Sequence, residues 1–254
     1  MQESAPGSIA GPNGNQIAYV RTNGKTPGVI FCGGYMSDMT GTKALSLEAL
    51  CSEIGHSFLR FDYSGHGASG GFFKDGTISS WTQDALAVLD NITTGPQILV
   101  GSSMGGWITL LVALERKNRV QGLVGIAPAA DFTQRLLDKE LTDEQLTAVH
   151  RDGLIKIKSP YAEEPYVFTK NLLEDGAKHR LLNRTIELNC PVRFLQGMQD
   201  DSVPWKYSLE LANSLSSNDV EITLVKTGDH RLSEEGDIAR LRKTVVDLIK
   251  VIPD

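Results

Sequence analysis

The chain has no long apolar run, few cysteines and no excess of positive charge, and each shortage removes a class of protein. No apolar stretch approaches the roughly 18 residues that a membrane-spanning helix needs, so no membrane span is expected. Cys32, Cys51 and Cys190 cannot all pair with one another, and none stands in a C-x-x-C. They read as free thiols in a reducing compartment, which excludes a disulfide scaffold and a paired-cysteine metal site. A formal net charge of −6 weighs against a nucleic-acid partner. The first residues, MQESAPGSIAGPNGNQ, carry neither the basic start nor the apolar core of a secretory signal. The glycosylation sequons at Asn91 and Asn183 therefore read as chance matches. There is no P-loop, no H-E-x-x-H, no internal repeat and no low-complexity tract, so neither metal nor cofactor is expected.

What is there is a chain of 254 residues, 41% apolar and 22% charged, long enough to bury a sizeable core. Short apolar runs alternate with segments of helical spacing. Strands are expected at 16–21, 28–32, 57–62, 97–101 and 120–128, and again at 192–196 and 220–226. Helices are expected at 42–54, 79–92 (capped by Ser79 or Ser80), 106–116, 206–215 and 237–252. Between residues 131 and 189 the alternation stops. That stretch shows helical pieces, a turn-rich segment (KSPYAEEPY) and no clear strand. The pattern describes one α/β domain over 1–254, with a mostly parallel central sheet and flanking helices. Residues 131–189 are a helical cap insertion lying over one end of the sheet.

The chemistry is concentrated at Gly101-Ser102-Ser103-Met104-Gly105, a G-x-S-x-G between an expected strand and an expected helix. A serine on so sharp a turn brings the residues two before and two after it close together, so both must be small. Glycine satisfies this around Ser103. Around Ser102 the same positions are Val100 and Met104, which would clash. Ser103 is therefore the candidate nucleophile, with the positive end of the following helix beneath it. A glycine-rich turn without chemistry would carry the same five letters, so the partners decide.

A serine hydroxyl needs a base, and the base an orienting carboxylate. Of the five histidines, His230 alone follows the last expected strand, in VKTGDHRLS. His56 begins a strand, His66 precedes the serine, and His150 and His179 lie in the insertion. After strand 192–196 the chain offers Asp200 and Asp201. Asp200 is preferred for its place in Gly197-x-x-Asp200-x-x-Val203-Pro204, and Asp131 is the competitor after strand 120–128. Two backbone N–H groups should receive the developing oxyanion: that of Met104, and that of Tyr35, which the Gly33-Gly34 pair allows to approach. Gly34, Trp107 and Phe132 are candidate substrate contacts, although Trp107 reads more readily as a packed core or rim residue. Phe132, Leu136, Leu137, Leu141, Leu146 and Val149 offer the insertion an apolar face, although helical leucines more often pack a core. GHGASG (65–70) matches a dinucleotide-binding fingerprint. The residues after it, GFFKDGT, do not open a helix, so it reads as a loop.

These residues resemble the α/β-hydrolase family along the whole chain, through RFDYSGHGASGG and the order Ser, Asp, His. Within the family they resemble the branch of mitochondrial palmitoyl-protein thioesterases that also cleave acyl glucuronides. GYMSDMTGTKAL, RFDYSGHG, GPQILVGSSMGGW, NCPVRFLQGMQDDSVPW and DHR carry that likeness. It departs at Gly33, where proline is expected. The resemblance implies a Ser103, Asp200, His230 triad acting on palmitoyl thioesters or acyl glucuronides. With no transit peptide visible, a bacterial cytoplasm is expected, or a mitochondrial matrix for a trimmed eukaryotic relative.

The residues imply two-step acyl transfer: His230 deprotonates Ser103, an acyl-enzyme forms, and water releases the acid. The expected partner is a small-molecule or acylated substrate, and no oligomeric state is assigned. A peptidase or acyltransferase would use the same residues. A non-catalytic receptor on this fold is the alternative of another class, and a complete triad argues against it.

Overall fold

A computed structural model describes residues 4–159 and 163–252. The first three residues and residues 160–162, part of the turn-rich segment, lie outside that description. Eight strands form one sheet in the order β1 (Ser4–Ala10), β2 (Gln16–Thr22), β4 (His56–Phe61), β3 (Lys25–Cys32), β5 (Gln97–Ser102), β6 (Val120–Ile126), β9 (Val192–Gly197) and β10 (Val220–Val225). β1 and β2 form an antiparallel hairpin, and β2 is also antiparallel to β4. From β4 onward every pairing is parallel, through β3, β5, β6, β9 and β10.

The central strands are apolar without a break because both faces of the sheet are covered. Side chains alternate between the faces. Val29 and Phe31 of β3 pack on one side with α1 (Thr42–Ile54) and α8 (Glu235–Val251), through Leu47, Leu50, Leu241, Val245 and Leu248. Ile30 and Cys32 face the other side. There α2 (Ile78–Ile92) and α3 (Met104–Glu115) contribute Trp81, Leu89, Trp107 and Leu110. α3 is buried from Met104 through Ala113, which is why it is apolar all round rather than along one stripe.

Several expectations are corrected. β1 was not expected: SAPGSIA is largely exposed and shows no apolar alternation, so its strand state comes from pairing with β2. α2 is capped by Thr77, not by Ser79 or Ser80. Thr77 Oγ1 accepts the Ser80 N–H at 3.2 Å, and Ser80 Oγ accepts the Thr77 N–H at 2.8 Å, a reciprocal capping box.

The stretch between β6 and β9 is not wholly helical. It runs through α4 (Phe132–Arg135), a π-helical turn (Leu136–Glu140) and α5 (Asp143–Asp152). An antiparallel hairpin of β7 (Leu154–Ile157) and β8 (Tyr166–Thr169) follows, and then α6 (Lys170–Gly176), while α7 (Lys206–Ser214) connects β9 to β10. Four-residue strands are too short to show a period. Asp131 closes this stretch: its carboxylate accepts the Leu181 and Leu182 N–H groups at 2.9 and 3.0 Å. Asp175 ties it to α2 by accepting the Ser79 N–H at 2.7 Å and the Ser79 hydroxyl at 2.8 Å.

The GHGASG loop is wrapped around a carboxylate. Asp62 accepts the Met39 N–H at 2.7 Å and the Ala68 N–H at 2.8 Å. Gly67 sits at φ 45°, where a Cβ would fall 2.1 Å from the Asp62 carboxylate. Its glycine is thus required by a structural carboxylate and not by a phosphate, and no helix opens within the motif: a 3-10 turn (Phe73–Asp75) comes next and α2 starts only at Ile78. His66, in the same loop, is buried among Tyr63, Phe73 and Trp81, with ring centroids 5.6, 5.0 and 5.2 Å away.

Burial holds the His66 pKa down to about 4, so the imidazole is neutral in the fold at pH 7. The unfolded chain binds this proton near pH 6.5. Stability from His66 is therefore complete above that pH and is lost as pH falls toward 4. His66→Phe, which keeps the ring contacts, should lose less melting temperature than the wild type between pH 7 and pH 5. Equal losses in thermal melts would contradict this assignment.

Candidate active site

The turn from β5 into α3 carries Ser103 at φ 54°, ψ −118°. Backbone in sparsely populated regions costs about 1–3 kcal/mol and persists only where its surroundings enforce it. Here they do. The Ser103 N–H donates to the Ile126 carbonyl at 2.9 Å, and the Ser103 carbonyl accepts the Gly106 and Ala129 N–H groups at 2.9 and 3.0 Å. A Cβ at Gly101 would lie 2.3 Å from the Gly105 carbonyl oxygen, and one at Gly105 would lie 2.1 Å from that of Cys32. Both glycines are required by backbone, which cannot yield as a side chain can.

The loop between β10 and α8 brings His230 to this turn. Its Nε2 is 3.1 Å from Ser103 Oγ and its Nδ1 is 2.8 Å from Asp200 Oδ2. The Asp200 side chain is wholly buried just beyond β9. Its Oδ1 accepts the Ser202 and Val203 N–H groups at 2.9 and 2.7 Å, and its Oδ2 accepts Gln196 Nε2 at 2.9 Å. Gln196 is itself held by the Ser208 hydroxyl, which donates to its Oε1 at 2.8 Å. The carboxylate is thus fixed in one orientation. A carboxylate facing Nδ1 calls for the proton there, which leaves Nε2 as the acceptor toward the serine hydroxyl.

The competing residues have other work. Asp201 is exposed at the cavity edge, and Asp131 holds Leu181 and Leu182, with burial pushing its carboxyl up. A second Ser–His–Asp group exists at Ser79, His179 and Asp175. There Ser79 Oγ meets both His179 Nε2, at 2.6 Å, and Asp175 Oδ1, at 2.8 Å. The acid binds the hydroxyl rather than the far side of the imidazole, so this group is a tether and not a relay.

Met104 opens α3, where an N–H has no partner within its own helix. Gly34 packs against Ser103: a Cβ on it would lie 3.5 Å from that of the serine. Tyr35 follows directly. Neither the Met104 nor the Tyr35 N–H has an acceptor among the described residues. The Tyr35 side chain leads away into the segment between β6 and β9. Its hydroxyl donates to the Val167 carbonyl, and its ring stacks on Phe168 with centroids 5.2 Å apart. Burial pushes its phenol well up.

A cavity of about 770 Å³ opens over Ser103, with Gly34, Tyr35, Met104, Phe132 and His230 in its wall. Trp107 is not in the wall. Its indole is fully buried, packs edge-on to Phe132 and donates to the His179 carbonyl at 3.1 Å, so it supports the wall from behind. Of the apolar positions expected from the insertion, Phe132 and Leu136 reach the cavity. Val149 packs in the core, and Leu137 and Leu141 pack against it. Ile157, Tyr166 and Phe168 of the hairpin line the same side and were missed with the hairpin. Their signal is the alternation in Tyr166-Val167-Phe168, which puts both rings on one face. Lys43 and Arg231, on the far side of the cavity, were also missed.

A mostly parallel sheet that presents a serine at this strand-to-helix turn defines an α/β-hydrolase, and comparison with known proteins agrees. The family model described as serine aminopeptidase, S33, matches residues 27–237, and the chain belongs to that family and is a serine hydrolase. It is similar to the human "Palmitoyl-protein thioesterase ABHD10, mitochondrial", with 42% identity over 94% of this chain and 78% of the relative. Among solved structures it is similar to α/β-hydrolase domain-containing protein 10 from mouse, with TM-score 0.90 and 41% identity over 97% of this chain and 98% of that one. A putative hydrolase from Agrobacterium vitis S4 superimposes with TM-score 0.93 and 44% identity, over 98% of this chain and 99% of that one.

The buried donors around Asp200 generate a prediction. Asp200→Asn would present an amide to Nδ1 and disturb the tautomer, so kcat on 4-nitrophenyl butanoate should fall about 10³-fold or more. Asp201→Asn should cost far less. Equal losses would leave Asp200 without a special role.

Proposed function

We propose that the chain hydrolyses carboxylic esters or thioesters through an acyl-enzyme on Ser103. The observation that carries this reading is His230, which lies within hydrogen-bond reach of Ser103 on one nitrogen and of a buried Asp200 on the other. His230 takes the hydroxyl proton as Oγ attacks the carbonyl, and the imidazolium is stabilised by Asp200. The tetrahedral oxyanion is received by the Met104 and Tyr35 N–H groups, a contribution of roughly 3–4 kcal/mol for each donor in comparable sites. His230 then protonates the leaving alcohol or thiol. Water, deprotonated by the same nitrogen, releases the acid.

In this proposal residues 1–254 form one α/β-hydrolase domain, and residues 131–189 act as a cap that selects the acyl group. Phe132, Leu136, Ile157, Tyr166 and Phe168 give the acyl side of the cavity an apolar patch, beside the polar Arg135, Glu140 and Lys158 of the same segment. Together with the relatives named as palmitoyl-protein thioesterases, this favours medium or long acyl chains, palmitoyl thioesters included. Three unpaired thiols and the word mitochondrial in those names fit a reducing interior compartment. No described helix is long and apolar enough to cross a membrane. The family description, serine aminopeptidase, supports a second reading, in which the leaving group is an amine and His230 protonates its nitrogen.

A series of 4-nitrophenyl esters tests the proposal. The wild type should turn them over, with kcat/KM rising up to about fourfold for each added CH₂ until the apolar side is filled, since burying one is worth roughly 0.8 kcal/mol. Ser103→Ala should lose activity by about 10⁴-fold or more. Inactivity of the wild type on every ester and thioester, with turnover of aminoacyl 4-nitroanilides, would favour the peptidase reading. Activity retained in Ser103→Ala would overturn both.

A further inference from the structure

The cavity has two unlike sides, and the proposed chemistry uses them differently. Phe132, Leu136 and Phe168 belong to the core on the α2–α3 face of the sheet. Phe31 and Ala44 of the cavity wall belong to the core on the opposite, α1–α8 face, and Lys43 and Arg231 reach the cavity from that side. Ser103 stands between them. An acyl chain belongs on the aromatic side. The leaving atom must collect its proton from His230 Nε2, so the leaving group departs toward the His230 loop, whose next residue is Arg231.

We propose that Lys43 and Arg231 form a subsite for an anionic group, a carboxylate or a phosphate, carried by the leaving group of the substrate. The proposal rests on the acyl-transfer reading of Ser103 and His230. Lys43 Nζ donates to the Arg231 carbonyl at 2.5 Å and lies 3.2 Å from Ser233 Oγ, which leaves a third N–H for a ligand. The Arg231 guanidinium donates to no acceptor among the described residues.

Three neighbouring carboxylates already accept hydrogen bonds of their own. Asp38 accepts the Thr40 N–H at 2.7 Å and the Thr40 hydroxyl at 2.5 Å. Asp229 accepts the Leu232 N–H at 2.9 Å, and Asp237 pairs with Arg240 at 2.9 Å. Glu234 and Glu235 are exposed at the start of α8. The other acidic residues of the wall, Glu140, Glu163, Glu164 and Asp201, come from the β6–β9 segment and the β9 loop, not from the α1–His230 side. Burial and the repulsion of Arg231 outweigh the attraction of Asp229 and Asp237 and hold the Lys43 pKa down to about 8. Lys43 thus remains mostly charged at pH 7, partly desolvated and beside a second cation. A bound anion would relieve that repulsion and make charge-assisted hydrogen bonds to both side chains.

Two matched pairs of substrates test this. 4-Nitrophenyl butanoate against 3-carboxy-4-nitrophenyl butanoate reports a carboxylate. The butanoyl thioester of pantetheine against that of 4′-phosphopantetheine reports a phosphate. The readout is the ratio of kcat/KM, anionic over neutral, each corrected for alkaline reactivity. In the wild type at least one ratio should reach about tenfold, chiefly through KM, and should fall as sodium chloride is raised. Arg231→Gln, which keeps the backbone tie to Lys43, and Lys43→Met should each lower that ratio about fivefold or more, whatever they do to the neutral substrate. Wild-type ratios near one, or ratios unchanged in both variants, would overturn the subsite.

If neither pair is turned over, the acyl-transfer reading has failed, and equilibrium binding of the leaving groups alone decides the subsite. Tighter binding of the anionic phenol or thiol than of its neutral partner, lost in Arg231→Gln, supports it. Equal binding overturns it.

Discussion

The close approach of backbone to backbone at the β5–α3 turn is the constraint on which the rest of the structure depends. Ser103 is held at positive φ because Gly101 and Gly105 nearly touch, and because Gly105 also lies against the carbonyl of Cys32 on the neighbouring strand. β3, β5 and β6 are therefore locked at one height: Cys32 pairs with Gly101, and Ser102 pairs with Ile126. The loops leaving these parallel strands must then emerge together at one end of the sheet. The proposed nucleophile, the oxyanion donors and the cavity all follow from that register.

The other partners reach the same place by different physics. Asp200 is held by backbone N–H groups of its own turn and by a glutamine of the strand below it, so its orientation belongs to the rigid sheet. His230 lies in a loop tied back to α1 through the Lys43 ammonium on the Arg231 carbonyl. Tyr35 joins the loop after β3 to the hairpin between β6 and β9 through its hydroxyl and its ring. The proposed oxyanion donor thus belongs to a residue whose side chain stands in the wall of the proposed acyl side.

What sequence reasoning could reach depended on how local the cause was. The alternation of buried strands and helices, and the steric logic that separates Ser103 from Ser102, are set by residues a few positions apart. They were readable from Gly101 to Gly105 and from runs such as Ile98 to Val100. The N-terminal strand was not readable, because its state comes from pairing with residues 16–22 and not from its own apolar pattern. The β7–β8 hairpin was too short to show a period. Trp107 could be read either as packing or as cavity wall, because an indole near a nucleophile in sequence can lie on either side of its own helix, and here it faces the core. Lys43 and Arg231 are 188 residues apart, and only the fold brings them together at one cavity.

The central claim is that the enforced turn makes the Ser103 oxygen, deprotonated by an imidazole that Asp200 orients, the one that attacks. Labelling with a fluorophosphonate tests it most directly, since such a probe bonds only to an activated serine. Intact-mass measurement should give a single adduct per chain, and peptide mapping should place it on Ser103. An adduct on Ser102 or on any other residue, or a folded chain that takes up none, would contradict the account.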